Sequence, residues 1–222
     1  MVYLLLFSSV FIGYIIALLL KVKQVKSLSI YLAFSGAFLL ALTIFELLPE
    51  VYEHPSKSIG VYIIAGILLQ IVLEMFSQGA EHGHVHIHEH KNDFPWLLFI
   101  SLSIHALLEG VPITENNNLL IGVMVHKIPI SLILSMFFIK ANYKKTTIFM
   151  FLFLFALMTP LGNWLSNNFE IIHHYHHEIT AIAIGVFFHV STTILFESSK
   201  NHQFNVSKMS AVVIAILLAY FL

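Results

Sequence analysis

The chain has no cysteine and no arginine, and only 10% of its 222 residues are charged. Without cysteine there are no disulfides, no thiolate metal sites and no cysteine nucleophile. A soluble globular domain carries about 25% charged residues. A chain this poor in charge, with 58% hydrophobic residues and a mean hydropathy of +0.87, stays dispersed only if most of it lies in lipid. All 11 basic residues are lysine, and the net charge is −1 with histidine neutral, which argues against nucleic acid as a partner. Histidine, by contrast, is abundant: 14 copies, many of them clustered.

A helix needs roughly 20 mostly apolar residues to cross the hydrocarbon core. Stretches of this kind run over 3–20, 28–48, 59–78, 95–113, 119–139, 146–166, 179–197 and 206–222. The last is short, and Lys208 near its start can snorkel to the interface. The first lacks a basic n-region and a small-residue cleavage site, and lysines follow it, so it reads as a retained span rather than a signal peptide. The expectation is an all-α, multi-pass integral membrane protein: one transmembrane domain over 1–222 with eight transmembrane helices in a lipid bilayer.

The lysines orient it. Lys21, Lys23, Lys26, Lys91, Lys140, Lys144, Lys145, Lys200 and Lys208 fall in the loops after the odd-numbered spans, against Lys57 alone in the opposite loops. By the positive-inside rule both termini lie outside the cytoplasm of a plasma or inner membrane, and the loop at 79–94 is cytoplasmic.

That loop contains EHGHVHIHEH, with His82, His84, His86, His88 and His90 at every second position. Neutral imidazoles on a polar loop ligate zinc, copper or nickel without a fixed geometry, and a cytoplasmic tract can collect or sense metal that has crossed. A second cluster, HHYHHE at 173–178, falls on the outer side, where it can capture metal before entry. Both also read as solvated polar loops with incidental affinity.

Ionisable groups within spans are costly and are functional candidates by default. They are Glu46, Glu74, His105, Glu109, His126 and Lys127, with His189 a seventh. His105 and Glu109 are four residues apart and share one face of the fourth helix. His126 on the fifth completes a His, Glu, His set that suits zinc and is tolerated by ferrous iron or manganese. The alternative is a hydrogen-bonded interhelical cluster without metal. Glu46, Glu109 and His126 each stand three residues before a proline: Pro49, Pro112 and Pro129. Each proline removes a helical donor and frees the carbonyl four residues back, at Phe45, Leu108 and Val125, which in lipid must find a partner or line a cavity. A cation path satisfies both; kinking for packing is the plainer reading.

The motifs resemble a known family. HALLEG at 105–110 resembles the fourth-helix signature of the ZIP (Zrt/Irt-like) metal transporters, in which His, Asn, two residues, an acid and Gly follow in order. HKIPIS at 126–131 is similar to the fifth-helix counterpart, ELLPE at 46–50 to the end of the second helix, and MTPLGNWL at 158–165 to the sixth. The resemblance covers nearly the whole chain. It implies an inverted-repeat 3+2+3 bundle, with two three-helix repeats around the fourth and fifth helices, and uptake of zinc into the cytoplasm. Fe2+, Mn2+ or Cd2+ are alternative cargo; no cofactor is permanently bound, and a homodimer is a possible assembly. TIFE at 43–46 and ILFE at 194–197 form a faint internal echo of such repeats.

Many members of that family hold two metals bridged by carboxylates. Here the corresponding positions are Ala106, Lys127, Ile130 and Thr159, which leave a second ion almost without ligands. Lys127 is expected to place its ammonium where the second cation would sit, paired with Glu109. One site then remains: His105, Glu109 and His126, with Glu46 as gate, fourth ligand or proton carrier. Three ligands plus water keep zinc exchangeable. Glu74 either guides metal towards the histidine loop or is a solvated helix-end carboxylate. Competing functions are a transport-incompetent metal sensor and an intramembrane zinc hydrolase, although the chain contains no HExxH.

Overall fold

The computed structural model describes residues 1–19, 28–53, 58–77, 94–114, 118–197 and 206–222, and nearly all of these are helical. Each apolar stretch forms a helix: α1 (Val2–Leu19), α2 (Leu28–Tyr52), α3 (Ser58–Ser77), α4 (Trp96–Gly110), α5 (Leu119–Lys140), α6 (Lys145–Asn168), α7 (His176–Glu197) and α8 (Val206–Phe221). Among the described residues, 6 helices are long and apolar enough to cross a membrane, which makes the chain a multi-pass integral membrane protein. The other two are shorter than expected, with 15 residues in α4 and 16 in α8. At 1.5 Å per residue, α4 covers about 22 Å of a core roughly 30 Å thick. Its sequence sets both ends: Pro95 precedes the first turn, and Pro112 cannot donate to the last. The histidine tract His82–His90 and Lys21, Lys23, Lys26, Lys57, Lys91 and Lys200 lie outside the described residues.

Two boundaries differ from the hydropathy reading. The second helix continues past residue 48 to Tyr52 by widening into a π-turn at Thr43–Leu47, where the Leu48 N–H reaches the Thr43 carbonyl. This wider turn falls directly before Pro49, where a helical donor is missing, and it contains Glu46. The second histidine cluster, at 173–178, is helical rather than a loop. His173 and His174 end a one-turn helix, Glu170–His174, while His176, His177 and Glu178 form the first turn of α7. An acid at that position faces the positive end of the helix dipole.

The helices pack as two sets. In one, α1 lies against α5 and α6, and α4 against α6; in the other, α7 packs on α3 and α2, and α8 on α2. Contacts of α5 with α2, and of α4 with α3 and α7, join the sets. In lipid there is little hydrophobic drive between helices, so close approach of backbones carries the association. Two crossings show this reciprocally. A Cβ at Gly66 of α3 would lie 2.0 Å from the Ile182 carbonyl of α7, and one at Gly185 of α7 would lie 2.0 Å from the Ile63 carbonyl of α3. In the other set, a Cβ at Gly110 would lie 2.2 Å from the Thr159 carbonyl and one at Gly162 would lie 2.0 Å from the Leu107 carbonyl. In every case the carbonyl belongs to the residue three before the facing glycine.

Gly185→Ala and Gly162→Ala are therefore expected to destabilise the protein by about 1–3 kcal/mol, as overpacking does. In Gly60→Ala the new methyl would meet only the Tyr52 hydroxyl at 3.9 Å, and stability should be unchanged. Unfolding in mixed detergent measures all three.

Candidate metal centre

The site is built where α4 faces α5. The i, i+4 spacing directs His105 and Glu109 to one face of α4, and His105 Nε2 lies 3.0 Å from Glu109 Oε1. From α5, His126 Nε2 approaches the same oxygen at 3.8 Å, and Lys127 Nζ contacts the other, Oε2, at 2.7 Å. All four side chains are nearly sealed: His105 is 3% exposed, Glu109 1%, His126 2% and Lys127 3%. The Lys127 ammonium also sits 4.8 Å from the centroid of the Phe155 ring of α6, an attractive face for a cation.

Sequence spacing proposed His105, Glu109 and His126 as ligands, and the fold brings them together, with one ligand atom from each all within 4.8 Å of one another. They are the one group of three or more such residues that converges in this way among the described residues. A tetrahedral zinc ion with bonds near 2.0–2.1 Å separates its ligand atoms by roughly 3.3 Å. Two of the three separations, 3.0 and 3.8 Å, bracket that value, and all three lie within 4.8 Å. Glu109 faces both ways: one oxygen towards the histidines, the other held by Lys127.

Glu46 lies elsewhere. Its Oε2 accepts the Asn118 main-chain N–H at 2.8 Å and its Oε1 accepts the Asn118 side-chain amide at 3.0 Å, so the α2 π-turn caps the N-terminus of α5. Glu74 and His189 meet each other, Oε2 to Nε2 at 2.5 Å, across the α3–α7 interface in a partly buried pair. Nor does the Leu108 carbonyl open into a path: the Val111 N–H donates to it at 3.3 Å, so the turn itself takes the acceptor that Pro112 leaves free. In the cluster at 173–178, His173 and His174 are exposed.

Three contributors were not legible as such in the sequence. Asn163 of α6 donates to the Gly110 and Ile113 carbonyls, at 3.3 and 2.6 Å, and so caps short α4 from a neighbouring helix. Asn118 donates both its main-chain N–H and its side-chain amide to Glu46. Gln70 of α3, fully buried, places Oε1 3.0 Å from His105 Nδ1. A carboxamide alone in the apolar run LLQIVLE is the signal that could have singled it out.

Over 87 residues, 36% of the chain, the sequence is 36% identical to "Zinc transporter ZIP1" of Danio rerio, and the match covers 29% of that protein. Over 106 residues, 40% of the chain, it is 31% identical to "Protein zntD" of Dictyostelium discoideum, covering 16% of it. The chain thus spans less than a third of the length of either relative. No family profile matches the chain. Motifs and relatives nevertheless agree: over part of its length this chain is similar to a ZIP zinc transporter, the resemblance that its fourth- and fifth-helix motifs carry.

Proposed function

We propose that this protein is a transporter rather than an enzyme, and that it carries a divalent transition metal, zinc foremost, into the cytoplasm through a single site on α4 and α5. The observation that carries this reading is the buried convergence of His105, Glu109 and His126 in a chain of membrane-spanning helices. Two imidazoles and one carboxylate suit zinc, and three protein ligands leave an open position through which the ion exchanges. The partial similarity to a zinc transporter points to the same cargo.

The arrangement we favour is eight crossings in a 3+2+3 inverted repeat. Its support is the pairing of helices. Exchanging α1 with α6, α2 with α7, α3 with α8 and α4 with α5 carries the α1–α5 contact onto α6–α4 and the α3–α7 contact onto α8–α2. Short α4 and α8 cross either where the bilayer thins or with their ends flanked by longer neighbours. The lysine distribution favours outward termini and a cytoplasmic histidine tract.

In this mechanism the triad is the transport site and Lys127 supplies a fixed positive charge beside it. A dication entering next to an ammonium 2.7 Å from Glu109 is held less tightly than in an all-anionic site, which favours release. The same lysine supports a second reading, a metal sensor that binds without moving its ion. Glu46, tied to Asn118, would act by holding α2 on α5 at the entrance rather than as a fourth ligand.

Purified protein in liposomes is expected to take up zinc, with His105→Ala and Glu109→Gln each lowering uptake by more than roughly 100-fold, beyond the cost of losing an outer partner of a ligand. Tight binding with no uptake would instead establish the sensor. Equilibrium dialysis should find one zinc more in the wild type than in His105→Ala, which keeps both histidine clusters, and Lys127→Ala should admit one further zinc through the vacated Glu109 oxygen. Loss of the first zinc in that variant would make Lys127 a structural strut.

A further inference from the structure

We propose that Gln70 is a positioning residue for His105, and that its neutral carboxamide tunes how firmly the site holds its ion. The proposal rests on the reading that His105, Glu109 and His126 take a metal.

His105 uses its two ring nitrogens differently. Nε2 is the atom turned to Glu109, at 3.0 Å from Oε1, while Nδ1 is turned away to Gln70 Oε1, also at 3.0 Å. For Nε2 to offer its lone pair to a cation, the ring proton must sit on Nδ1. An Nδ1–H buried between helices needs an acceptor, and the Gln70 amide oxygen is placed to accept it. This bond selects the tautomer and fixes the ring rotation that aims Nε2 at Glu109. Gln70 is 0% exposed, flanked in sequence by Leu69 and Ile71, and one helical turn from Glu74, which is committed to His189. It also comes from α3, in the helix set opposite to the one that carries the ligands, so the orienting acceptor reaches across the boundary between the sets.

Glutamine differs from the usual carboxylate orienter in carrying no charge. A carboxylate behind a metal-bound imidazole raises its basicity and strengthens the metal bond. A carboxamide supplies the geometry without that added hold, which suits an ion that must leave. The residue at 70 therefore sets the balance between affinity and turnover.

The test is zinc affinity by competition with a fluorescent chelator, together with zinc uptake kinetics, on the full-length protein in lipid nanodiscs and liposomes. Gln70→Met, close in length and at most a weak acceptor, is expected to weaken zinc binding by roughly 10–100-fold. Gln70→Glu should restore or exceed wild-type affinity, with a lower KM and a lower maximal rate. On top of His105→Ala, Gln70→Met should have no further effect, because the residue acts through that ring. Wild-type affinity in Gln70→Met would overturn the proposal, as would an equal loss in the His105→Ala background, since a packing role does not depend on His105. If Gln70→Met fails to fold, loss of binding in folded Gln70→Glu overturns it alone. In each of those cases the wild type still binds zinc more tightly than His105→Ala, and the site reading stands. A folded wild type that binds zinc no better than His105→Ala takes both down.

Discussion

A carboxylate that is 1% exposed between membrane helices cannot keep its charge by solvation, and Glu109 is in that position. Its oxygens are met instead by Lys127 at 2.7 Å, His105 at 3.0 Å and His126 at 3.8 Å. Within a low-dielectric interior, opposite charges this close attract strongly, and removing one partner from a buried pair costs about 3–5 kcal/mol. The register of α4 against α5 is thereby constrained: sliding either helix by a turn would strand a charge. Much of the rest serves that register. Gly110 and Gly162 let α4 and α6 touch backbone to backbone, Asn163 closes the carbonyl end of α4, and Glu46 caps the start of α5.

The same neutralisation gives the site its character. With Lys127 in place the metal-free centre is not a bare anion awaiting a cation, so an arriving ion must compete for Glu109. Two imidazoles make this feasible, because neutral nitrogen ligands bind without demanding further charge compensation. The candidate ligands all belong to α4 and α5, whereas Gln70, which meets His105, and Glu46, which meets Asn118 at the start of α5, come from α3 and α2. Ligand positions and their orientation are thus set by different parts of the bundle.

The short helix concentrates the site. α4 carries two of the three candidate ligands yet covers only 15 residues, ended by prolines on both sides. Pro112 leaves the Leu108 carbonyl without its helical donor, and the local turn supplies the Val111 N–H instead; past the helix end, Asn163 of α6 donates to the Gly110 and Ile113 carbonyls. Irregular backbone at this depth is tolerated because it is buried in protein, not exposed to lipid.

Hydropathy made the helices legible, and a spacing of four made His105 and Glu109 cofacial, because both follow from local chain geometry that needs no partner. The pairing of Lys127 with Glu109 could also be anticipated, since a buried charge must find its opposite. Where Glu46, Glu74 and His189 would go could not, because each choice depends on which helix lies alongside. Glu46 turned to Asn118, and Glu74 to His189. Gln70 shows the same limit: in the sequence it is one polar residue in an apolar run, and only the packing of α3 on α4 brings its oxygen to His105. The sequence by itself determined the apolar helices, the candidate ligands and the charge that must be compensated. Tertiary structure decided which groups share each oxygen and nitrogen, because hydrogen bonds reach only about 3 Å and helix neighbours are chosen by contacts far apart in the chain.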